Sequence, residues 1–234
     1  MRNVICNRGQ KTVHPCTGSE SRHGGLNMIK RLLVIRHSEA EHLVDESLTG
    51  GWTDSTLTDS GRVQAHRTAS AILKLLSGVD FDFYSSDLLR AKETAEIIGL
   101  QVSKTPELYY NLRELNNGNA ANLSRQDAEK ILNPITEPNI DWIPYPNAES
   151  WKMMNDRVKI IMDELNAKSK ETVLIVSHGN TIVSIIHWWL ELNEHYISKV
   201  SFDIEPCSIT QLRINDWGEK VIVKLNDTAH LLGN

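Results

Sequence analysis

The chain has 234 residues, of which 24% are charged and 40% hydrophobic, a composition typical of a globular protein long enough to bury a substantial core. Its 30 acidic residues outnumber its 25 basic ones, so the net charge of −5 provides no global field that would attract nucleic acid or an anionic membrane. No apolar run approaches the roughly 18 residues that span a bilayer, and we expect neither nucleic acid nor a membrane as a partner.

The first segment of the chain differs from the rest. Residues 1–27 have no helical or strand periodicity, which predicts a disordered N-terminal extension before a folded domain at 28–234. The extension lacks the apolar stretch of a secretory signal and contains Cys6 and Cys16. Because Cys207 is then the single cysteine of the domain, the sequence predicts a protein of the reducing cytoplasm. We interpret Cys207 as a small buried residue in a late strand.

Downstream of the extension, strand and helix patterns alternate. Thr58 stands where a helix-capping residue is expected, and Gly99 stands at the predicted end of the next helix. This alternation favours a three-layer α/β/α sandwich with a mostly parallel central sheet and an antiparallel edge. In chain order, the predicted elements are a strand at 31–37, a helix at 57–77, a strand at 81–86, a helix at 87–99, a proline-rich loop at 133–150, a helix at 149–168, a strand at 171–179, a helix at 180–192 and two strands around a turn at 216–218.

Chemically versatile side chains stand where the three clearest strands end. Arg36 and His37 end the first strand, Arg90 lies one helical turn beyond the second, and His178 ends the late apolar strand. Ligand sites in open α/β sheets form beyond the carboxyl ends of the strands. We therefore expect these two histidines and two arginines to converge on one rim of the sheet.

Two imidazoles and two guanidiniums suit phosphoryl transfer. Guanidinium groups bind tetrahedral oxyanions through paired hydrogen bonds and keep their charge. A neutral imidazole can attack phosphorus, and a second imidazole, if protonated, can stabilise the transferring group. The leaving oxygen needs a proton, for which Glu114 is the leading candidate and Asp87, Glu39 and Glu149 are competitors. Together these groups make a site that needs no metal and no other cofactor.

These residues carry a family resemblance that covers nearly all of residues 29–234. The chain resembles the histidine phosphatase superfamily, the group that includes the cofactor-dependent phosphoglycerate mutases. The resemblance implies a phosphoglycerate mutase-like fold and makes 28–234 the catalytic domain. The matching segments are VIRHSEA at 34–40, GGWTDSTLTDSGRVQA at 50–65, YSSDLLRAKETA at 84–95, LRELNNG at 112–118 and VSHGN at 176–180.

The resemblance also implies residue roles. It makes His37 the nucleophile, Glu114 the acidic proton donor and His178 the second catalytic histidine. It makes Arg36 and Arg90 phosphate-binding residues, a role that His178 shares. The implied activity is metal-independent hydrolysis of a small phosphorylated metabolite through a phosphohistidine.

The start of the helix after His178 offers a further phosphate contact. Gly179 and Asn180 stand where exposed backbone amides favour anions, so we add Gly179 to the predicted phosphate-binding residues. Ser85 and Ser86 are interpreted as turn residues.

The chain departs from the family pattern close to the nucleophile. The usual glycine after it is Ser38, the usual threonine two residues further on is Ala40, and the usual phosphate-contacting asparagine is Leu43. These changes are expected to weaken phosphate binding or to alter the shape of the accepted substrate.

Three alternatives stay open. Phosphoglycerate mutase-type transfer would use the same nucleophile, but the segment 133–150 contains no lysine or arginine to enclose a bisphosphate, which favours hydrolysis. A catalytically weak protein that binds phosphorylated ligands is the second. A metal-dependent hydrolase built on His37, His42, His178 and Asp54 is the third, although two arginines nearby would repel a cation. A homodimer is also compatible with the sequence, with Trp188 and Trp189 on one face of a helix.

Overall fold

The computed structural model of the chain describes residues 28–45 and 47–232. The predicted extension at 1–27, with Cys6 and Cys16, lies outside the described residues and stays a prediction. Six strands are described: β1 Arg31–Arg36, β2 Asp82–Ser86, β3 Glu107–Tyr109, β4 Thr172–Ser177, β5 Ile209–Ile214 and β6 Lys220–Asp227. The helices are α1 Glu41–Val44, α2 Asp59–Leu75, α3 Leu89–Val102, α4 Arg125–Glu129, α5 Trp151–Lys168, α6 Gly179–Trp189 and α7 Glu194–Ile197.

The strands form one mixed sheet in the order β3-β2-β4-β1-β5-β6. Neighbours from β3 to β1 run parallel, while β5 is antiparallel to both β1 and β6. The predicted parallel sheet with an antiparallel edge is therefore confirmed. Because β1 and β4 lie side by side at the centre, their carboxyl ends meet at one rim.

Both faces of the sheet are covered by helices. The side chains of β1 alternate: Leu32 and Val34 belong to the core shared with α5 and α6, whereas Leu33 and Ile35 belong to the core shared with α2 and α3. All four are fully buried. This arrangement confirms the three-layer α/β/α sandwich, and it explains why the central strands are continuous apolar runs.

The predicted helix caps have different outcomes. Thr58 caps α2, and its hydroxyl accepts a hydrogen bond from the backbone N–H of Gly61. The predicted end of α3 at Gly99 is wrong, because the helix continues to Val102 and ends at Ser103 in a left-handed conformation. A Cβ atom on Gly99 would lie 2.4 Å from the carbonyl oxygen of Lys104, so this glycine allows the chain to fold back closely against the helix.

Several short elements carry no sequence pattern strong enough to predict them. Strand β3 has three residues and is recognisable through its pairing with β2. Helices α1, α4 and α7 have four or five residues each. Cys207 is buried as expected, but it precedes β5 and lies outside the strand. None of the helices in the described part of the chain is long and apolar enough to cross a membrane.

Candidate active site

His37 follows the last residue of β1 and is held in one tautomer. Its backbone N–H donates to the carbonyl of Ser177 at the end of β4, over 2.8 Å. Its ring Nδ1 lies 2.7 Å from the carbonyl oxygen of Ser38, which can only accept, so Nδ1 carries the proton. The lone pair is then on Nε2, to which Arg90 Nε donates over 3.2 Å. A buried imidazole with its unprotonated Nε2 facing a guanidinium is suited to attack a bound oxyanion.

Arg90 lies in the first turn of α3 and is 1% exposed. Besides its contact with His37, it donates to the carbonyls of Thr53 over 2.8 Å and Gly51 over 2.7 Å. Gly51 has a φ of +68°, and a Cβ atom there would lie 2.4 Å from the Asn117 side chain. The loop at residues 50–53 therefore folds tightly against Asn117, and its carbonyls accept hydrogen bonds from Arg90.

Arg36 provides the second guanidinium. Its Nη1 donates to the carbonyl of Ile204 over 2.5 Å, while its Nε has no hydrogen-bond partner among the described residues. A Cβ atom built on Gly179 would lie 3.8 Å from this Nε, so the free donor is close to the start of α6. Gly179 is the first residue of α6, with His178 as the N-cap. An unpartnered guanidinium donor beside a helix N-terminus fits a phosphoryl oxygen.

His178 lies deeper than His37, and the centroids of the two rings are 5.1 Å apart. Its Nε2 is 2.8 Å from the hydroxyl of Ser86, while its Nδ1 is buried and has no partner within the described chain. The interpretation of Ser85 and Ser86 as turn residues is wrong: both are buried in β2, and Ser86 orients His178. The sequence could not show this contact, because it joins residues 92 positions apart.

Both histidines are neutral at ordinary pH in the free protein. The pKa of His37 lies well below its usual range, because burial penalises the charged form and Arg90 and Arg36 repel it. The pKa of His178 is lowered well below its usual range by burial first and then by Arg90 and His37. Burial also lowers the pKa of Arg90 to about 10, and nearby Glu114 opposes that shift. A neutral His37 needs no deprotonation before it attacks.

Glu114 is placed beside the same guanidiniums. Its Oε2 accepts the backbone N–H of Asn180 over 3.2 Å, and its Oε1 accepts that of Leu115 over 2.8 Å. Its charge raises the pKa of both Arg36 and Arg90, against the effect of burial. The carboxylate therefore faces the start of α6 next to the predicted phosphate position.

The competing carboxylates have other partners. Asp87 forms a two-bond ion pair with Arg113, both contacts being 2.7 Å long. Glu149 forms an equivalent pair with Arg157, with both contacts 2.8 Å long. Glu39 accepts the hydroxyl of Thr58 over 2.6 Å. Of the four candidates, Glu114 is the one that lines the cleft.

The site opens into a cleft of about 480 Å³. Its inner wall carries Arg36, His37 and Arg90, and its outer walls are a mixture of amide, aromatic and apolar side chains. Residues of the segment 116–150 contribute part of these walls. The outer residues are Leu43, Leu48, Thr49, Leu115, Asn116, Asn117, Arg125, Pro144, Tyr145 and Asn180.

His42 lines the cleft, although the sequence suggests it only as a metal ligand. It lies on α1, is 6% exposed, and its ring centroid is 6.0 Å from that of His37. Its Nδ1 is 3.0 Å from the hydroxyl of Ser55, and burial, together with Arg90 and Arg36, lowers its pKa to about 4. In the sequence, the one feature that indicates His42 as a site residue is its position five residues after His37. Leu43, one of the departures from the family pattern, lies next to it in the cleft.

The donor geometry does not suit a metal ion. Among residues 28–45 and 47–232, no group of three His, Cys, Asp or Glu side chains could hold one. The free nitrogen of His37 faces the Arg90 guanidinium, a cation that would oppose another cation at the same place. Asp54, named in the metal alternative, is exposed.

The chain is similar in sequence and in fold to proteins of one family. The pattern of the Histidine phosphatase superfamily (branch 1) matches residues 32–228. Phosphoglycerate mutase-like protein 4 of Arabidopsis thaliana is 33% identical over 208 residues, with 86% of each chain covered. An acid phosphatase of Mycobacterium tuberculosis is 32% identical over 167 residues, covering 69% of this chain and 76% of the relative. The solved structure of a mycobacterial glucosyl-3-phosphoglycerate phosphatase in complex with VO3 has a TM-score of 0.70 to this chain and is 24% identical in sequence. The match covers 85% of this chain and 100% of the solved chain, and it establishes the fold.

Proposed function

The chain belongs to the histidine phosphatase superfamily, and from that premise we propose that it hydrolyses a small phosphomonoester of the cytoplasm through a phosphohistidine at His37. The observation that carries the proposal is the state of His37: a neutral ring, with its proton held on Nδ1 by a carbonyl and its lone pair on Nε2 beside Arg90. A nucleophilic imidazole next to a fixed positive charge is what attack on a phosphate ester requires.

Substrate binding begins with the phosphoryl group. The free Nε of Arg36 and the free Nδ1 of His178 are buried polar atoms that phosphoryl oxygens would satisfy. Arg90 and the N-terminal end of α6 at Gly179 add positive potential on the same side. The organic part of the substrate would lie in the outer cleft, against Tyr145.

In this proposal the hydrolysis takes place in two chemical steps. In the first, Nε2 of His37 attacks phosphorus, a P–N bond forms, and the P–O bond to the leaving group breaks. That leaving oxygen takes its proton from Glu114. In the second, water attacks the phosphohistidine, Glu114 takes a proton from the water, and the P–N bond breaks to release inorganic phosphate and free His37.

Hydrolysis is favoured over mutase-type transfer by the charge of the cleft. Within the described part of the chain, Arg125 is the one lysine or arginine that lines the cleft besides Arg36 and Arg90. A mutase must retain a bisphosphorylated intermediate, which needs more cationic contacts and a closed site. The likeness to a mutase-like relative keeps phosphoglycerate mutase-type transfer as the alternative.

The decisive experiment measures phosphate release from a panel of phosphomonoesters. We expect turnover that persists in EDTA, is inhibited by orthovanadate, and falls by about 10³-fold or more in His37→Ala. His66→Ala, at an exposed histidine on α2, is the matched control and should retain wild-type turnover.

Three outcomes would contradict the proposal. Loss of turnover in EDTA would indicate a metal enzyme. Binding of orthovanadate without turnover of any ester would indicate a ligand-binding protein. Interconversion of 2- and 3-phosphoglycerate much faster than phosphate release would indicate a mutase.

A further inference from the structure

Beneath His37 lies a buried cluster of side-chain hydroxyl and thiol groups that takes no part in the proposed chemistry. Ser38, Thr94 and Cys207 are each fully buried. They come from three separate parts of the fold: the residue after His37, the second turn of α3, and the segment that precedes β5. Ser38 also replaces the glycine expected after the nucleophile, so the cluster occupies one of the places where the chain leaves its family pattern.

Thr94 connects the nucleophile to the helix that carries Arg90. Its Oγ1 accepts the backbone N–H of Ser38 over 3.0 Å and lies 3.2 Å from the Ser38 hydroxyl. The same Oγ1 donates to the carbonyl of Arg90, one turn earlier in α3, over 2.8 Å. Thr94 therefore fixes the residue after His37 relative to Arg90, whose Nε contacts His37 Nε2.

Cys207 holds the opposite side of the same backbone. Its N–H lies 3.1 Å from the carbonyl oxygen of Arg36 and 3.3 Å from that of His37, and its Sγ lies 3.0 Å from the Ser38 hydroxyl. To reach these partners, Cys207 adopts a φ of +59°, a left-handed conformation that is unfavourable for a residue with a side chain. Its pKa is raised by burial, which keeps the thiol protonated and unreactive.

We propose that Thr94, Ser38 and Cys207 are positioning residues, which hold the carbonyl of Ser38 against Nδ1 of His37 and so keep the lone pair of His37 on Nε2, in line with Arg90. The inference rests on the proposed function, in which His37 Nε2 is the nucleophile. It also gives a physical reason for a serine at position 38: its hydroxyl provides contacts to Thr94 and Cys207 that glycine cannot make.

The test compares near-isosteric substitutions. Thr94→Val removes the hydroxyl but keeps the volume, and we expect kcat to fall about 10-fold, because a nucleophile displaced by about 1 Å can lose 10²-fold in rate. KM should change less than threefold, since Arg36 and His178 are untouched. The single substitutions Thr94→Ser and Cys207→Ser keep a polar group at each position, and each variant should have a kcat within about twofold of the wild type.

A spectroscopic readout separates positioning from a loss of stability. In the wild type, the ¹⁵N signals of the His37 ring should show a protonated Nδ1 and an unprotonated Nε2. In Thr94→Val, a second population with the proton on Nε2 should appear. Ser169→Ala is the matched control, because it removes a buried hydroxyl that bonds Tyr84 at the opposite end of the sheet and should leave both kcat and the tautomer unchanged.

Two results would overturn the inference. The first is a folded Thr94→Val whose kcat is within twofold of the wild type. The second is an unchanged His37 tautomer in Thr94→Val and Ser38→Gly alike. The proposed function would fail separately, if His37→Ala kept wild-type turnover. The tautomer of the His37 ring can be measured even in a protein that shows no turnover.

Discussion

Replacing Arg90 with lysine tests how the arginine holds the site together. Arg90 is 1% exposed and makes three directed hydrogen bonds, to His37 Nε2 and to the carbonyls of Thr53 and Gly51. A lysine ammonium keeps the charge but ends at one point and cannot reach all three acceptors. Arg90→Lys therefore separates the geometry of the guanidinium from its charge.

The expected cost follows from the two carbonyls that lose their donor. A buried acceptor left unsatisfied costs about 1–3 kcal/mol. Because the Gly51 contact is partly buried, we expect Arg90→Lys to lower the free energy of unfolding by about 2–4 kcal/mol. Because the guanidinium would no longer be fixed beside Nε2 of His37, kcat/KM should also fall by about 10²–10³-fold.

Urea unfolding followed by far-UV circular dichroism gives the free energy, and phosphate release gives kcat/KM. The matched control is Arg213→Lys at an exposed position on β5, where both quantities should stay at wild-type values. A free energy of unfolding for Arg90→Lys within about 0.5 kcal/mol of the wild-type value would contradict this role of the guanidinium. A variant that is destabilised as expected but keeps its kcat/KM would contradict it equally.

Three further predictions concern pH, proton donation and packing. The pKa of His42 falls to about 4 in the folded protein, below its unfolded value, so its contribution to stability is present above pH 6.5 and is lost as the pH falls towards 4. Between pH 7 and pH 4, the free energy of unfolding measured in urea should accordingly fall by about 3 kcal/mol less in His42→Gln than in the wild type. Equal decreases in the two proteins would contradict the lowered pKa of His42. Glu114→Gln should reduce kcat/KM for an alkyl phosphate by about 10²-fold or more but that for p-nitrophenyl phosphate much less, because p-nitrophenolate leaves without a proton. Because kcat/KM does not include the later hydrolysis of the phosphohistidine, in which Glu114 also acts, equal losses of kcat/KM for both esters would exclude Glu114 as the proton donor. Gly99→Ala should destabilise the protein by about 1–3 kcal/mol because its Cβ would lie 2.4 Å from the Lys104 carbonyl oxygen, whereas Leu100→Ala, at a side chain 83% exposed, should have little effect on the thermal midpoint.

The residues at the strand ends were predictable because their placement depends on topology alone. Parallel central strands bring their carboxyl ends together, so the apolar runs before His37 and His178 were enough to place the two rings on one rim. Arg90 followed from its place in the first turn after β2. Glu114 was the leading proton-donor candidate from the sequence, but it lies in a loop whose path no periodicity describes, and the family resemblance was needed to favour it over its three competitors.

What the sequence did not predict depends on contacts between distant side chains. Ser86 was interpreted as a turn residue because nothing local indicates that its hydroxyl meets His178. Gly99 was interpreted as a helix end because a glycine needed for close approach looks, in sequence, like one needed for a left-handed turn. His42 lies on a helix of four residues, too short to produce a periodic pattern.

Trapping the covalent intermediate would show directly whether His37 is the nucleophile. Wild-type protein would be mixed with a phosphomonoester, quenched at alkaline pH during turnover, digested and mapped by mass spectrometry. We expect one acid-labile phosphoryl group on the peptide that contains His37, and none on that peptide in His37→Ala. A phosphoryl group on another residue, or steady turnover with no phosphohistidine at any quench time, would contradict this role of His37.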